Sequence, residues 1–283
     1  PHDRVEALVR KSTNPRNRPE QEIAGYRDAL SLIHESAPHM PFTENVILQL
    51  HATIHRYLPM DGGKWKRNDN AIVEKNPDGT VGRVRFAPVR ATATPDAMAA
   101  LVKLYREALE IHNQEPLVAA PAAILDFLCI HPFSDGNGRT ARLLTLLLLY
   151  HFDYQVGRYI SLERIFEESK ESYYETLEAS SQGWHEGKHD LRPWLTYFWG
   201  ALIKAYREFE ERVGSIKTGR GSKSGQIRQA VERRRAPFAI SDIEGDCPGI
   251  SRDMVRVVLR RLRDEGLILL QGKGRGAKWL RKQ

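Results

Sequence analysis

The chain has 283 residues, of which 41% are hydrophobic and 28% are charged, a composition typical of globular proteins. Its longest apolar run, from Leu143 to Tyr150, is too short to cross a bilayer, so we expect no membrane-spanning segment. Cys129 and Cys247 are the only cysteines, which excludes a disulfide framework and a cysteine-based metal site. No secretory signal pattern is present at the start of the chain, and we expect a reducing, cytoplasmic compartment.

The net charge of +7 is concentrated in the C-terminal quarter of the chain. Residues 215–283 hold 17 Lys and Arg against 7 Asp and Glu, a net charge of +10, whereas the remainder holds 26 against 29, a net charge of −3. This asymmetry predicts a nearly neutral body with a separate basic module. The predicted division is a first domain over 1–213, a linker over 214–225 and a second domain over 226–283.

The first patterned segments are helical. Apolar residues recur at helical spacing from Glu20 to Glu35, and Thr43 is a suitable N-cap for a second helix from Glu44 to Leu58. The second helix carries His51 and His55 one turn apart. Two histidines at this spacing can bind zinc, but the Glu of a metalloprotease motif is absent, so we favour a structural role for both.

Two β-rich runs, residues 70–75 and 80–86, flank the sequence Asn-Pro-Asp-Gly at 76–79. Pro followed by Asp-Gly in a short connection predicts a β-hairpin over 70–86. Such a hairpin is either a surface decoration or an exposed edge to which another chain adds a strand.

Further helical patterns follow the hairpin. Thr94, followed by Pro95 and an acidic residue, is predicted to cap the first of them. The other predicted helices of the body are 116–130, 139–152, 161–179 and 192–213.

The most informative stretch is His131–Arg142, with the sequence HPFSDGNGRTAR, which lies between two strongly apolar helical segments. We call residues 131–142 the motif. Pro132 ends the incoming helix, because proline disfavours helical geometry in the residue before it. Gly136 and Gly138 allow a tight turn and the close approach of a ligand. The N–H groups that open the outgoing helix attract an anion, most plausibly phosphate.

The charged residues of the motif fit the same ligand. Arg139 and Arg142 are three residues apart, so they share a helix face beside the anion, and guanidinium groups suit phosphate oxygens. The carboxylate of Asp135 repels phosphate unless a cation such as Mg²⁺ bridges the two. His131 is the one motif residue that titrates near neutral pH, which predicts a general base beside a polyphosphate.

Two structural alternatives compete with this interpretation. A calcium-binding loop that starts at Asp135 is excluded, because Arg139 and Leu146 occupy positions where that loop needs acidic residues. A structural turn around a satisfied core histidine stays open on local chemistry alone.

The motif resembles the signature of the Fic family, His-Pro-Phe-x-Asp/Glu-Gly-Asn-Gly-Arg-x-x-Arg, without departure, and the resemblance extends over roughly residues 20–200. It implies a mainly α fold, a helical core with a β-hairpin flap, and transfer of AMP from ATP to a protein hydroxyl. By this resemblance His131 is the base that activates the hydroxyl, and Asp135 holds Mg²⁺. The residues implied in binding the nucleotide phosphates are Gly136, Asn137, Gly138, Arg139 and Arg142.

The same resemblance identifies the hairpin over 70–86 as the flap, which lies over the active site and docks the target protein by strand addition. Ile72 would press on the nucleotide or on the target side chain. Tyr173 and Tyr174 resemble a pair of tyrosines of which the second lies near the adenine. Tyr174 and Ser181 are therefore predicted nucleotide contacts, whereas core packing is favoured for Tyr173.

The C-terminal region resembles a winged helix-turn-helix, a small α+β domain. The linker over 214–225 is predicted from its Gly, Ser and Lys content. The helices that follow are predicted over 226–234, 241–246 and 251–265, before a hairpin whose tip carries Lys273 and Arg275. The third helix would be the recognition helix, with the outward candidates Arg252, Arg256, Arg260 and Arg263. DNA contact is favoured, and docking of a protein stays open.

These observations predict a protein adenylyltransferase that uses ATP and Mg²⁺, modifies a Ser, Thr or Tyr hydroxyl of a target protein or of itself, and releases pyrophosphate. Two alternatives stay open: a DNA-binding regulator whose Fic core senses ATP, and a Fic enzyme that transfers another phosphate-containing group or removes AMP. The intact His131 argues against an inert core. Assembly as a homodimer is also left open.

Many Fic proteins carry an inhibitory sequence, Ser/Thr-x-x-x-Glu-Gly/Asn, whose Glu pairs with the second arginine of the signature, here Arg142. This chain lacks the pattern, and its nearest approximation, Ser241–Gly245, is one residue too short. Because the sequence begins without Met, the hypothesis is that an inhibitory Glu lies upstream of Pro1.

Overall fold

The computed structural model describes residues 2–75, 80–218, 223–234, 236–272 and 277–282. The chain divides into two compact units, Pro1–Tyr206 and Arg207–Gln283. The division predicted from composition, at a linker over 214–225, lies beyond this boundary.

The first unit is mainly helical, as its apolar periodicity predicts. Its helices are α1 (His2–Val9), α2 (Arg18–Ser36), α3 (Glu44–His55), α4 (Thr94–Glu110), α5 (Pro116–Ile130), α6 (Asn137–Tyr150), α7 (Leu162–Glu168) and α8 (Lys170–Ser181), and α9 (Arg192–Thr218) starts in this unit. Its strands are β1 (Ile72–Lys75) and β2 (Val81–Phe86).

Helices α5 and α6 form the centre of this unit and pack against each other. Residues 143–150 of α6 are buried on every side, which explains why their sequence is almost continuously apolar. Pro121 inside α5 has no N–H for the carbonyl of Leu117, and that carbonyl accepts a hydrogen bond from Trp199 Nε1 instead (2.8 Å). Trp194 Nε1 donates to the carbonyl oxygen of Pro121 itself (2.7 Å), so α9 supports α5 at its proline.

Several helix ends follow the local signals in the sequence. Thr43 caps α3, because its hydroxyl oxygen accepts the N–H of Val46, three residues into the helix. The predicted helix over 116–130 is confirmed to the residue as α5. The predicted cap at Thr94 is wrong, since Thr94 is the first helical residue and its hydroxyl donates to the carbonyl of Arg90 (2.9 Å).

The single helix predicted over 161–179 is divided into α7 and α8 at Ser169. The Ser169 hydroxyl donates to the carbonyl oxygen of Ile165 (2.8 Å) and lies 2.8 Å from the hydroxyl of Tyr197. A serine hydroxyl that bonds a carbonyl one turn earlier competes with the helical backbone pattern. We attribute the break to the Ser169 side chain together with its tertiary partner, Tyr197.

The predicted hairpin over 70–86 is present as an antiparallel pair of β1 and β2, with Ile72 opposite Phe86 and Val73 opposite Val84. Its predicted turn, residues 76–79, lies outside the described residues.

The second unit has its own core. After α9, its elements are α10 (Lys223–Glu232), α11 (Ile240–Asp246), α12 (Arg252–Asp264), β3 (Ile268–Gln271) and β4 (Lys278–Arg281). Strands β3 and β4 are antiparallel, and Phe238 adds an isolated bridge to Trp279. Ser251 caps α12, whose buried stripe is Val255, Val258, Leu259 and Leu262.

Part of the predicted linker over 214–225 is helical, because α9 continues to Thr218 and α10 starts at Lys223. A single Gly or Ser costs a helix only about 1 kcal/mol or less, so glycine and serine content alone does not end a helix. The predicted hairpin tip with Lys273 and Arg275 lies outside the described residues. Within the described ranges, no helix combines the length and the apolar character that crossing a membrane requires.

Candidate active site

His131 lies where α5 ends. The helix stops at Ile130, and His131 adopts a left-handed backbone conformation with φ +51°. Its Nδ1–H donates to the carbonyl oxygen of Leu128 (3.2 Å), which leaves Nε2 as the nitrogen with a free lone pair. The pKa of His131 is lowered to about 4, mainly by burial and also by the charge of Lys66, against the raising effect of the Leu128 carbonyl. At neutral pH the imidazole is therefore uncharged and able to accept a proton.

A cavity of about 200 Å³ adjoins His131, and we call it the His131 cavity. Its apolar wall comes from α5 and α8 and includes Leu125, Leu128 and Leu177. It brings together six of the residues predicted from the sequence, namely Ile72, His131, Gly138, Arg142, Tyr174 and Ser181. Residues from the hairpin, both central helices and α8 therefore share one concave site.

The two glycines of the motif have different surroundings. Gly136 has φ +81°, and a Cβ at this position would lie 2.9 Å from His55 Cε1, so glycine avoids both backbone strain and a close contact there. A Cβ on Gly138 would meet only Arg142 Nη1, at 3.7 Å, which is an ordinary contact. Gly138 also lines the His131 cavity, so its lack of a side chain keeps the cavity open beside the first turn of α6.

Asn137 begins α6 and is buried. Its Oδ1 accepts the backbone N–H of Phe133 (2.9 Å), and its Nδ2 donates to the carbonyl of the same residue (2.7 Å). The side chain thus holds the motif in its turn, and the backbone N–H groups at the start of α6 are the groups left for an anion.

Asp135 and Arg139 form a charged cluster with Arg18. Asp135 Oδ2 accepts hydrogen bonds from Arg18 Nη2 (3.1 Å) and Arg139 Nη2 (3.2 Å), while Oδ1 accepts the N–H of Gly136 (2.7 Å). The Asp135 side chain is 38% exposed, which leaves it accessible to a cation. Arg18 is a partner that motif reasoning missed, because it lies 117 residues away in the sequence.

Arg139 does not line the His131 cavity but faces a neighbouring space of about 580 Å³, which we call the arginine cavity. Arg142 and Tyr174 line both spaces. The two arginines of the motif therefore line neighbouring cavities that share Arg142 and Tyr174 as wall residues.

The other predicted nucleotide contacts differ in exposure. Tyr174 is 45% exposed. Tyr173 is buried among Phe166, Trp194 and Tyr197, in agreement with the packing role favoured for it, although its edge also reaches the His131 cavity. The hydroxyl of Ser181 donates to the carbonyl oxygen of Glu178 in its own helix (2.9 Å).

Ion pairs hold the hairpin against α8, and sequence reasoning did not identify them. Arg83 bonds Glu74 across the hairpin (2.9 Å) and Glu178 on α8 (2.8 Å). Arg85 makes longer pairs with the same two carboxylates (3.4 and 3.5 Å). The alternation of Glu74, Arg83 and Arg85 in two adjacent strands was a visible sign of cross-strand pairing.

His51 and His55 have structural roles. Gly63 N–H donates to His51 Nδ1 (2.8 Å), so the protonated Nε2 donates to the backbone carbonyl of Asp135 (3.0 Å). The ring of His51 stacks on Phe133, with centroids 3.6 Å apart. Among the described residues, no group of three or more His, Cys, Asp or Glu side chains is placed to hold a metal ion. The contacts of His51 therefore support the motif from α3.

Comparisons with known proteins agree with this architecture. Residues 41–149 match the model of the Fic/DOC family. Protein adenylyltransferase Fic of Drosophila ananassae is 28% identical to the chain over 181 residues, which cover 62% of the chain and 31% of that relative. The chain thus spans about a third of the length of the curated relatives it matches.

Solved structures are similar in fold. A Fic family protein from Desulfovibrio desulfuricans G20 aligns with a TM-score of 0.58 and 21% identity, over 99% of this chain and 80% of its own. A Fic domain containing signaling protein from Bacteroides thetaiotaomicron VPI-5482 aligns with a TM-score of 0.61 and 24% identity, over 78% of this chain and 81% of its own. At these identities the likeness concerns the fold alone.

Proposed function

We propose that this Fic/DOC domain chain is a protein adenylyltransferase, which transfers AMP from ATP to a Ser, Thr or Tyr hydroxyl of a target protein or of itself. The observation that carries the proposal is the His131 cavity, where an uncharged imidazole lies beside Gly138, Arg142 and the start of α6. The name of the Drosophila relatives supports the same reaction class.

The reaction assigns a role to each group. His131 Nε2 takes the proton of the target hydroxyl as the hydroxyl oxygen attacks the α-phosphorus of ATP. The bond from the α-phosphorus to the bridging oxygen breaks, pyrophosphate leaves, and the imidazolium then returns its proton to solvent. Arg142, Arg139 and the first N–H groups of α6 bind the phosphate oxygens and stabilise the charge that develops on them.

Magnesium fits the donors present at Asp135. Mg²⁺ in nucleotide sites is held by one or two carboxylates together with the substrate phosphates, and Asp135 supplies one accessible carboxylate beside Arg18 and Arg139. When bound, the ion neutralises phosphate charge and orients the leaving group. Arg18 and Arg139, which now hold the Asp135 carboxylate, would keep it oriented toward the cation.

The target is proposed to dock on the flap, residues 70–86. The flap sheet has only two strands among the described residues, and β2 exposes the apolar side chains of Val81 (70%) and Val84 (59%). A strand of the target that paired with this sheet would bring its hydroxyl toward Ile72 and His131, which line the same cavity.

Two labelled substrates test the reaction. The chain is incubated with ATP labelled at the α-phosphate or, separately, at the γ-phosphate, and protein-bound label is measured. Label from the α-phosphate alone supports AMP transfer. Label from the γ-phosphate would indicate phosphate transfer, and ATP binding with no label from either position would favour an ATP-sensing core.

DNA binding by the second unit is a second candidate function. Its order of three helices followed by a hairpin resembles a winged helix, and α12 turns Arg256 and Arg260 away from its buried stripe. Arg260 makes no ion pair among the described residues, whereas Arg256 pairs with Asp253 (3.1 Å). A winged-helix recognition helix presents such residues to the major groove.

The full chain tests this second candidate against a duplex DNA pool at several salt concentrations. Specific or non-specific DNA binding should weaken steeply as the salt concentration rises. In the double variant Arg256→Ala with Arg260→Ala, the slope of log affinity against log salt concentration should be smaller by about two. Arg106→Ala, an exposed arginine of α4, is the matched control. Failure to bind DNA at low salt would assign the basic unit to protein docking.

A further inference from the structure

Residues 130–133, which we call the base loop, connect the end of α5 to the rest of the motif. Lys66, from the segment before the flap, binds this loop at two points. Its Nζ donates to the carbonyl oxygen of Ile130 (3.1 Å), and its backbone N–H donates to the carbonyl oxygen of Pro132 (2.8 Å). The side chain of Lys66 is buried, with 4% of the residue exposed.

Asn70 binds the two remaining carbonyl groups of the base loop. Its Nδ2 donates to the carbonyl oxygens of His131 (3.3 Å) and Phe133 (3.0 Å). Its Oδ1 accepts a hydrogen bond from Lys66 Nζ (2.7 Å), so the two residues act as one unit. All four consecutive carbonyls of the base loop therefore receive a hydrogen bond from Lys66 or Asn70.

The base loop needs this support because its conformation is costly. His131 is left-handed at φ +51°, a region that residues other than glycine rarely adopt and that persists only when the surroundings hold it. Pro132 has no N–H to contribute. The carbonyl of Ile130 belongs to the last turn of α5, where the helix itself supplies no donor and a cation is favourable.

The same segment leads directly into the flap. Asn70 is two residues before Ile72, the first residue of β1, and Ile72 lines the His131 cavity together with His131. The position of the flap and the position of the base therefore depend on one short stretch of chain, residues 66–72.

We propose that Lys66 and Asn70 are positioning residues for His131, which fix the base loop so that Nε2 faces the incoming hydroxyl and which tie the flap to that base. The inference rests on the proposed function, since it concerns the base of that reaction. Lys66 has a second effect, because its buried charge disfavours a second positive charge on His131.

Two substitutions separate the roles. Lys66→Met keeps the aliphatic stem but removes the charge and two hydrogen bonds from Nζ, and Asn70→Ala removes the bonds to His131 and Phe133. Both should lower kcat for AMP transfer about 10- to 100-fold, while the dissociation constant of ATP changes less than threefold. Lys64→Met is the matched control, because Lys64 is an exposed lysine of the same segment, and it should behave as wild type.

The acid limb of kcat/KM distinguishes positioning from simple loss of stability. Lys66→Met should move this limb to higher pH, toward the ordinary value for histidine, whereas the neutral change Asn70→Ala should lower kcat without moving it. Neither change touches the other charged or titratable groups that line the His131 cavity, which are Arg85, Cys129, Arg142, Tyr173, Tyr174 and Glu178.

Nuclear magnetic resonance of histidine-labelled protein gives a readout that does not need activity. The His131 signal is identified by its loss in His131→Ala. Its chemical shift should change in both Lys66→Met and Asn70→Ala, and it should titrate at higher pH in Lys66→Met. If Lys66→Met does not fold, the positioning role is tested by kcat and the His131 chemical shift of Asn70→Ala.

Two results would overturn the inference. One is that, in both variants, kcat falls only in proportion to the fraction of protein that is folded. The other is a His131 signal indistinguishable from that of Lys64→Met. A wild-type chain that transfers no AMP would refute the proposed function, and the resonance experiment would still test the positioning of His131.

Discussion

Arg85 on β2 and Glu178 on α8 both line the His131 cavity and form an ion pair, with 3.5 Å between Nη1 and Oε2. Arg83 adds a closer contact to Glu178, at 2.8 Å. A single carboxylate on α8 thus receives both arginines of the flap.

Glu178→Gln should loosen the flap without unfolding the unit. Partly exposed ion pairs contribute about 1 kcal/mol or less, so amide hydrogen exchange in β1 and β2 should quicken by up to about fivefold. The control is Glu175→Gln, which changes an exposed glutamate about one turn earlier on α8. Unchanged exchange in the flap of Glu178→Gln would show that other contacts hold it.

Alanine substitutions at the two motif glycines should have different effects on the unfolding free energy and on ATP affinity. Gly136→Ala places a Cβ 2.9 Å from His55 Cε1 at φ +81°, and its unfolding free energy should fall by about 1–3 kcal/mol. Gly138→Ala should leave stability equal or about 0.5–1 kcal/mol higher, since alanine suits a helix better. Its affinity for ATP should nevertheless fall, because the new methyl group occupies the space beside the phosphates.

Thermal unfolding and ATP titration of both glycine variants check this prediction. If Gly138→Ala bound ATP as wild type does, the phosphates would not lie against the start of α6. A fully stable Gly136→Ala would mean that His55 moves away at little cost.

Local signals in the sequence predicted the elements that carry the site. The Pro at 132, the cap at Thr43 and the apolar stripes act within one or two turns of the chain, so they fix the start of α3 and both ends of α5. The predicted end of α3 at Leu58 was wrong, since the helix stops at His55. The break at Ser169 was not predictable in this way, because it depends on Tyr197, a partner 28 residues away.

The candidate site shows the same contrast between local sequence signals and tertiary contacts. The motif predicted a base at His131 and phosphate ligands at Arg139 and Arg142 from residue type and spacing. Arg18, Lys66 and Asn70 escaped sequence reasoning. Each of these three acts through a contact more than 60 residues away, and none belongs to a recognisable pattern in its own segment. Contacts of this kind follow from tertiary packing, which periodicity and spacing do not record.

Replacement of the base should abolish transfer while preserving the fold. We expect His131→Ala to bind ATP nearly as wild type does and to transfer AMP about 10²–10⁴-fold more slowly, the usual contribution of a general base. His112→Ala, an exposed histidine after α4, controls for the loss of an imidazole elsewhere. Single-turnover transfer from α-labelled ATP measures the effect, and near wild-type transfer by His131→Ala would remove it from the mechanism.

The pH dependence follows from the lowered pKa of His131, about 4 in the folded chain, with burial as the main cause. A base with this pKa is unprotonated from neutral pH down to about 5, so the acid limb of kcat/KM should lie near pH 4 and not near 6.5.

Between pH values of about 4 and 6.5 the unfolded chain binds more protons at His131 than the folded chain does. The unfolding free energy should therefore fall as the pH is lowered from about 6.5 through about 4, and it should be insensitive to this residue above that window. In His131→Ala the fall should be shallower, as measured by chemical denaturation at several pH values. An acid limb near 6.5, or identical stability profiles for His131→Ala and wild type, would contradict the buried, neutral state of the imidazole.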